Sequence, residues 1–300
     1  MTNKRTIAVI GLGSMGYGMA SSLLKAGHKV HGFDVMPAQT KRFQDEGGAL
    51  GELEDIAESL DVVVVVVLNA AQTETVLLGE QGIVSRLKAG TVVIACATVA
   101  PDFAMRMAES CGAHELYYLD APISGGSVKA ASGQLSIMAS GTPDAFTAAK
   151  PALDAMAQTV FELGDTAGPG SAMKSVNQLL AGVHIAAMAE AMTFGMKQGI
   201  EPDKIIEVIT QSAGNSWMFE NRAPHIAAGD YTPHSTVDIW PKDLGIILDI
   251  AKAEKFAAPV TAAALQQFVA ASGSGLGAED DAAVAKVYAR NAGLKLPGDA

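Results

Sequence analysis

The sequence predicts an α/β N-terminal half, a doubly wound parallel sheet with helices on both faces, followed by an all-α C-terminal half. Three observations predict it. Up to about Gly164, short apolar runs of strand length alternate with amphipathic helical segments, the pattern of parallel strands joined by crossover helices. After Gly164 the strand-like runs stop and only helical patterns remain. The first strand-like run, Thr6–Ile10, opens directly into Gly11-Leu12-Gly13-Ser14-Met15-Gly16. A chain of 300 residues suits two ordinary domains. The expected division is 1–165 and 166–300, at the turn-rich junction Gly164-Asp165-Thr166-Ala167-Gly168-Pro169-Gly170.

In chain order, the opening strand, its G-x-G-x-x-G turn and the helical pattern through Ala26 form the first unit. Gly11 allows the tight turn, Gly13 lets the backbone approach a pyrophosphate, and Gly16 lets the helix pack close to the strand. The helix N-terminus offers N–H groups and a positive dipole end to phosphates. The next run, Lys29–Phe33, ends on Asp34, placed to accept hydrogen bonds from an adenosine ribose. Strand before, helix after and an acid about 20 residues on are the context that makes this fingerprint specific for a dinucleotide in a Rossmann-type domain. Asp34 would repel a 2′-phosphate, and Val35, Met36 and Pro37 supply no arginine beside it. Lys41 and Arg42 fall on the following helix as solvated surface. NAD is therefore expected over NADP.

Further strand-like runs are Val62–Val67, Thr91–Ala95, Leu116–Leu119, Leu135–Ala139 and Thr159–Leu163. Ligands of such sheets bind at the carboxyl ends of the strands. Those ends carry Gly11–Gly16, Asp34, Leu68-Asn69, Thr98 and Asp120-Ala121-Pro122. In the second half, Pro169–Gly199 reads as one helix about 45 Å long, a spine that reaches toward a partner subunit. Pro202–Ser212, Pro241–Phe256, Pro259–Ser272 and Ala282–Ala292 read as helices too.

Composition excludes several functions. The net charge of −11 argues against nucleic acid, which needs clustered lysine and arginine. An anionic cofactor and substrate must then be held by helix ends and a few placed lysines. Cys96 and Cys111 are the only cysteines; without a Cys/His cluster they make no metal site and read as reduced, buried thiols of a cytoplasmic protein. The apolar run Val62–Leu68 is too short to span a membrane, and no signal peptide is expected.

Oxidation of an alcohol by a nicotinamide needs a group to take the hydroxyl proton. The best candidate is Lys174, just inside the long helix, with Asn177 and Gln178 on the same face. Burial there would lower its pKa and favour the neutral amine; the alternative is a solvated lysine in a first helical turn. Asp120-Ala121-Pro122-Ile123-Ser124-Gly125-Gly126-Ser127, with two adjacent glycines beside serines, can cradle a carboxylate with its backbone N–H groups, or be an ordinary turn. Lys242-Asp243 opens another helical pattern and alone carries little information.

The chain resembles the β-hydroxyacid dehydrogenase family, which includes 3-hydroxyisobutyrate dehydrogenase and tartronate semialdehyde reductase. The resemblance covers essentially the whole chain and rests on four motifs in order: Gly11-Leu12-Gly13-Ser14-Met15-Gly16; Asp120-Ala121-Pro122-Ile123-Ser124-Gly125-Gly126; Gly168-Pro169-Gly170 through Lys174 and Asn177; and Lys242-Asp243-Leu244. It implies that Ser124, Gly125 and Gly126 bind the substrate carboxylate and that Lys174 is the catalytic acid/base. Asn177 and Gln178 would meet the substrate, and Lys242, Thr98, Leu68 and Asn69 the cofactor. It also implies a small hydroxy-acid substrate and a homo-oligomer, dimer or tetramer. The family usually has a second asparagine where this chain has Gln178, which points to a differently shaped, more polar pocket.

Gln178–His184, Ala213–Arg222 and Asp230-Tyr231-Thr232-Pro233 resemble one branch in particular, which oxidises the C2 hydroxyl of a four-carbon sugar acid with NAD. Asn177, Gln178, Asn215, Ser216, Asn221 and Arg222 are a plausible supply of partners for several hydroxyls. Arg222 pairs either with a substrate carboxylate or with Glu220 or Asp243. His184 is either a structural histidine or part of the pocket. Trp217 and Phe219 read as core or pocket wall. The rival functions are another hydroxy-acid dehydrogenase of the same family, and, more distantly, a non-catalytic NAD sensor.

Overall fold

Five of the apolar runs form one parallel sheet in a computed structural model that describes residues 4–298. They are β1 (Thr6–Ile10), β2 (Lys29–Phe33), β3 (Val62–Val65), β4 (Val92–Ala95) and β5 (Tyr117–Asp120), in the spatial order β2-β1-β3-β4-β5. All four residues of β3 are buried, because both faces of the sheet are covered. Ile7, Val9, Val62, Val64, Val92 and Ile94 point into one core, and Ala8, Ile10, Val63, Val65, Val93 and Ala95 into the other. The period of two along each strand divides them.

The first face is covered by α1 (Gly16–Lys25), through Met19, Ala20 and Leu23, and by Phe43 of α2 (Pro37–Asp45). The other face carries α3 (Leu53–Ile56), α4 (Ala70–Leu78) and α5 (Pro101–Gly112), the last packing Phe103, Ala104, Met107 and Cys111. Prolines open α2 and α5, where a missing N–H costs nothing. Cys96 and Cys111 are free and buried, and burial pushes both thiols up to about 12.

The last two expected strands do not extend this sheet. After β5 the chain passes Pro122 into a two-residue strand, β6 (Ile123–Ser124), then α6 (Gly126–Ala131) and β7 (Leu135–Ala139). A fourteen-residue helix, α7 (Pro143–Met156), leads to β8 (Ala157–Glu162). These three strands form a separate mixed sheet, β6-β7-β8, with β6 antiparallel and β8 parallel to β7. The bridge Asp120↔Ser140 links the end of β5 to the residue after β7. The short β6, ten residues before β7, pairs with it antiparallel, so β7 does not lie in the first sheet.

The remaining helices are α8 (Pro169–Lys197), α9 (Pro202–Ile209), α10 (Trp217–Ala228), α11 (Ile239–Ala253), α12 (Pro259–Ala271) and α13 (Ala285–Ala292). The chain divides into two compact units, one running to Lys174 and one from Ser175. In the second, Ile185, Met188, Ala189 and Met192 of α8 pack with Phe219, Ala223 and Ile226 of α10, Trp240, Leu244 and Ile247 of α11, and Phe268 of α12. By length and composition alone α8 is apolar enough to cross a membrane, with mean hydropathy 1.4; that apolar character serves this core. Helix α10 has no counterpart in the sequence expectations. Pro224 lies inside it, and its start is fixed by Ser216 Oγ, which accepts from Phe219 N at 3.0 Å.

Candidate active site

The parallel sheet brings Gly11–Gly16, Asp34, Leu68-Asn69, Thr98 and Asp120 to one edge, since each follows or closes the C-terminal end of a strand. The three glycines of the first turn differ in what they require. Gly11 has φ +98°, and a Cβ there would stand 2.2 Å from the Val66 carbonyl oxygen. A Cβ on Gly16 would lie 1.9 Å from the carbonyl oxygen of Gly11, so α1 folds directly onto the turn that precedes it. Gly13 has nothing within 4 Å of its Cβ position. Packing does not account for that glycine, and the space beside it is open to a ligand. The first turn of α1 holds no side-chain cap and no acid, so no protein group competes with a phosphate there. An open groove of about 510 Å³ runs along it, past Leu12, Gly13, Ser14, Tyr17, Arg42 and Ser127.

Asp34 shapes this loop as well as facing it. Its carboxylate accepts from Leu12 N at 2.7 Å and from Met36 N at 2.8 Å. Each oxygen retains capacity for a ribose hydroxyl. Val35 is 98% exposed and brings no cation to the carboxylate. Lys41 is solvated and paired with Asp45, as expected. Arg42 is more constrained, lying 4.2 Å over the Tyr17 ring and paired with Glu46. Leu68 and Asn69 form a reciprocal cap on α4. Asn69 Oδ1 accepts from Gln72 N at 2.9 Å while Gln72 Oε1 accepts from Leu68 N at 2.8 Å. The Leu68 side chain is left exposed. Thr98 is half-buried just beyond β4.

Ser124 lies in β6 opposite Ser136, and Gly125 and Gly126 follow with φ of +136° and +75°. A Cβ on Gly126 would meet nothing within 4 Å, so this loop too is open to a ligand. Lys174 is buried, 7% exposed, and its Nζ donates to the Ile123 carbonyl at 2.8 Å. The amine is thus held one residue before the Ser124-Gly125-Gly126 loop, not displayed to solvent.

What fixes the start of α8 is Asp120, to which the sequence assigned no role of its own. Its Oδ2 accepts from Gly168 N at 3.0 Å, Ser171 N at 2.8 Å and Ser140 Oγ at 3.3 Å, and its Oδ1 from Ser171 Oγ at 2.7 Å. Ser140 Oγ accepts from Gly170 N at 2.9 Å. Burial pushes the Asp120 carboxyl above its ordinary range, against these hydrogen bonds. The segment 120–123 therefore anchors both the backbone that carries Lys174 and the lysine's own Nζ. The same ties explain why the first unit extends to Lys174 and does not stop at the glycine-rich junction.

In the second unit, Asn177 Nδ2 donates to Gln178 Oε1 at 2.9 Å, and Gln178 Nε2 to Asp243 Oδ2 at 2.5 Å. Asp243 Oδ1 receives the Lys242 ammonium. Arg222 is neither a partner of Glu220 nor of Asp243. It is buried against Asp281, Nε to Oδ1 2.5 Å, and that carboxylate also accepts from Trp240 Nε1 at 3.0 Å. Buried Asp281 has no repeat or spacing that would reveal it. Much of the expected polar supply is likewise committed to structure. Asn215 donates to Glu220, Ser216 caps α10, and Asn221 accepts from Arg222. Trp217 is exposed, Phe219 is core, and His184 is half-buried.

Fold and site together define a nicotinamide dinucleotide-dependent oxidoreductase. Residues 6–164 match the family model described as the NAD binding domain of 6-phosphogluconate dehydrogenase. Residues 168–288 match that described as NAD-binding of NADP-dependent 3-hydroxyisobutyrate dehydrogenase. An L-threonate dehydrogenase of Cupriavidus necator is 50% identical over 297 residues, 99% of each chain. One from Escherichia coli K12 is 46% identical, covering 97% of this chain and 96% of its own. A crystal structure described as 3-hydroxyisobutyrate dehydrogenase from Salmonella typhimurium is 46% identical with a TM-score of 0.89, over 95% of this chain and 100% of that one. The chain belongs to the β-hydroxyacid dehydrogenase family, the 3-hydroxyisobutyrate dehydrogenase-like enzymes, and is an NAD-dependent hydroxy-acid dehydrogenase.

Proposed function

We propose that the enzyme oxidises the C2 hydroxyl of L-threonate to the 2-oxo acid with NAD, and that Lys174 is the general base. The observation that carries this reading is the Lys174 Nζ, buried and held 2.8 Å from the Ile123 carbonyl at the entrance of the Ser124-Gly125-Gly126 loop. In this mechanism Ser124 and the backbone N–H groups of Gly125 and Gly126 bind the substrate carboxylate. Lys174 Nζ takes the hydroxyl proton as the C2 hydrogen departs with its electron pair and the C=O bond forms. Bound NAD supplies the hydride acceptor.

Gly11, Leu12, Gly13, Ser14, Met15, Gly16 and Asp34 hold the adenosine and pyrophosphate; Leu68, Asn69, Thr98 and Lys242 complete the cofactor contacts. Asn177 and Gln178 meet the substrate. The uncompensated Asp34 carboxylate supports NAD over NADP. The names of the Cupriavidus and Escherichia relatives support L-threonate, while that of the Salmonella structure favours 3-hydroxyisobutyrate as the second reading. The amides at Asn177 and Gln178 suit hydroxyls better than a methyl group. A homo-oligomeric state and a cytoplasmic location complete the proposal. Exposed Val176, Leu180 and Phe194 on α8 support self-association, and the free buried thiols a reducing compartment.

NADH formation, followed by absorbance with L-threonate, D-threonate, D-erythronate, 3-hydroxyisobutyrate and glycerate, tests the substrate. L-Threonate is expected to give the highest kcat/KM; preference for 3-hydroxyisobutyrate or glycerate refutes it. Lys174→Ala should lower kcat by about 10²–10⁴-fold and leave NADH binding, read by fluorescence, nearly intact. Near-normal turnover in that variant removes Lys174 from the chemistry.

A further inference from the structure

Asp243, Gln178 and Asn177 form a line of hydrogen bonds with a fixed direction. Helices α8 and α11 come unusually close at Gly182, where a Cβ would stand 2.8 Å from Leu244 and 2.9 Å from Trp240. Asp243 lies between those two residues in sequence, and Gln178 lies one helical turn before Gly182. Both are buried, Asp243 to 2% and Gln178 to 8% exposure.

The direction follows from chemistry. A carboxylate accepts hydrogen bonds and cannot donate them. Asp243 takes the Lys242 ammonium on Oδ1, and Gln178 must offer its NH₂ to Oδ2. The flipped amide would set two oxygens against each other at that contact. Gln178 Oε1 is then the end that faces Asn177, and Asn177 must answer with its own NH₂. Asn177 Oδ1 and the second Asn177 N–H are what remain for a ligand, and the line sets which of the two places is the acceptor. Left to itself an asparagine offers a ligand either end of its amide. Here the buried carboxylate, two residues back along the line, has made the choice.

We propose that Asp243, acting through Gln178, fixes Asn177 as a hydrogen-bond acceptor for a substrate hydroxyl, and so makes the enzyme select polyhydroxylated acids over their deoxy counterparts. The inference rests on the contact between Asn177 and substrate in the function proposed above. A substrate with a methylene or methyl group at that point leaves the Asn177 carbonyl unpaired, which is where discrimination arises. Asp243 is a positioning residue; it need not touch the substrate.

The test uses the full-length enzyme and the variant Asp243→Asn, whose side chain can present NH₂ or carbonyl to Gln178 and so releases the direction of the line. The readout is kcat/KM for L-threonate against its 3-deoxy and 4-deoxy analogues. The wild type should reject one analogue, and in Asp243→Asn that discrimination should fall about tenfold or more, chiefly through a higher KM for L-threonate. Lys242→Gln, whatever it does to cofactor affinity, should keep the discrimination, which separates substrate recognition from release of the lysine. Should Asp243→Asn not fold, Gln178→Leu cuts the same line and should lose the discrimination likewise. A second readout needs no substrate: the labelled side-chain NH₂ groups of Gln178 and Asn177 should exchange slowly with solvent, and faster in Asp243→Asn. Retained discrimination in both variants overturns the proposal where the wild type oxidises L-threonate. Where it does not, the assigned function falls first, and unchanged amide exchange in Asp243→Asn then overturns the relay on its own.

Discussion

Replacing Asp120 by alanine should destabilise the first unit by several kcal/mol and take the start of α8 with it. Asp120 is 1% exposed, and Ser140 and Ser171 beside it are fully buried. Without the carboxylate, Gly168 N and Ser171 N lose their acceptor where water cannot replace it. Each stranded buried donor costs about 1–3 kcal/mol, so the pair costs about 2–6 kcal/mol, a large share of the roughly 5–15 kcal/mol by which a typical domain is stable. Asp120→Asn should cost less than half as much. Its carbonyl can face the two backbone amides while its NH₂ turns to the Ser171 hydroxyl. The pH dependence separates the two variants from the wild type. Burial raises the Asp120 carboxyl above its ordinary 3.8, so the folded chain holds that proton to higher pH than the unfolded chain. Stability from this group is therefore lost as pH rises from 3.8 through the raised value, and both variants should lack that loss. Urea unfolding across this range measures all three quantities. An Asp120→Ala variant within about 1 kcal/mol of wild type would refute the anchoring argument. If Lys174 is the base proposed above, unaltered kcat would refute that argument too, because displacement of a catalytic group by even about 1 Å is costly to rate.

Gly182→Ala should cost about 1–3 kcal/mol in the second unit, because its new methyl would stand 2.8 Å from Leu244 and 2.9 Å from Trp240; a urea midpoint equal to wild type would mean the helices are not that close. His31 is buried in β2, and burial, then the charge of Lys29, hold its pKa below 6.5 against a backbone contact with Leu50. The unfolded chain takes up that proton first, so stability should decline as pH falls below 6.5, by at most about 1.4 kcal/mol per unit. His31→Leu should flatten the slope between that pH and the depressed value; an unchanged slope would assign the proton elsewhere.

What the sequence made legible is what neighbouring residues decide among themselves. The turn Gly11–Gly16 is a local event, and so is the switch from a period of two to helical periodicity, which located β1, β2 and β7 and the cores of α8, α11 and α12. The separate sheet was not legible, because β6 is two residues long and the partner of a strand is not written in the strand. Helix α10 was hidden by Pro224 and by a motif read for its polar groups. The role of Asp120 depends on Gly168 and Ser171, some 48 and 51 residues away, and that of Arg222 on Asp281, 59 residues away. Lys174 stood out as a candidate, but periodicity alone left it equally open to solvent; its burial against Ile123 is a tertiary fact.

The glycines of the first turn answer to two different judges. Gly11 and Gly16 are demanded by the fold, so any change there is visible as soon as the protein is made. Gly13 touches nothing of the protein at its missing Cβ, and a methyl group there would pass unnoticed by melting curves, expression level and proteolysis alike. In the cofactor role proposed for this turn, only a dinucleotide would find it. Screens that rank variants by thermostability would therefore accept Gly13→Ala as silent, while its damage accumulated in the one property they do not read.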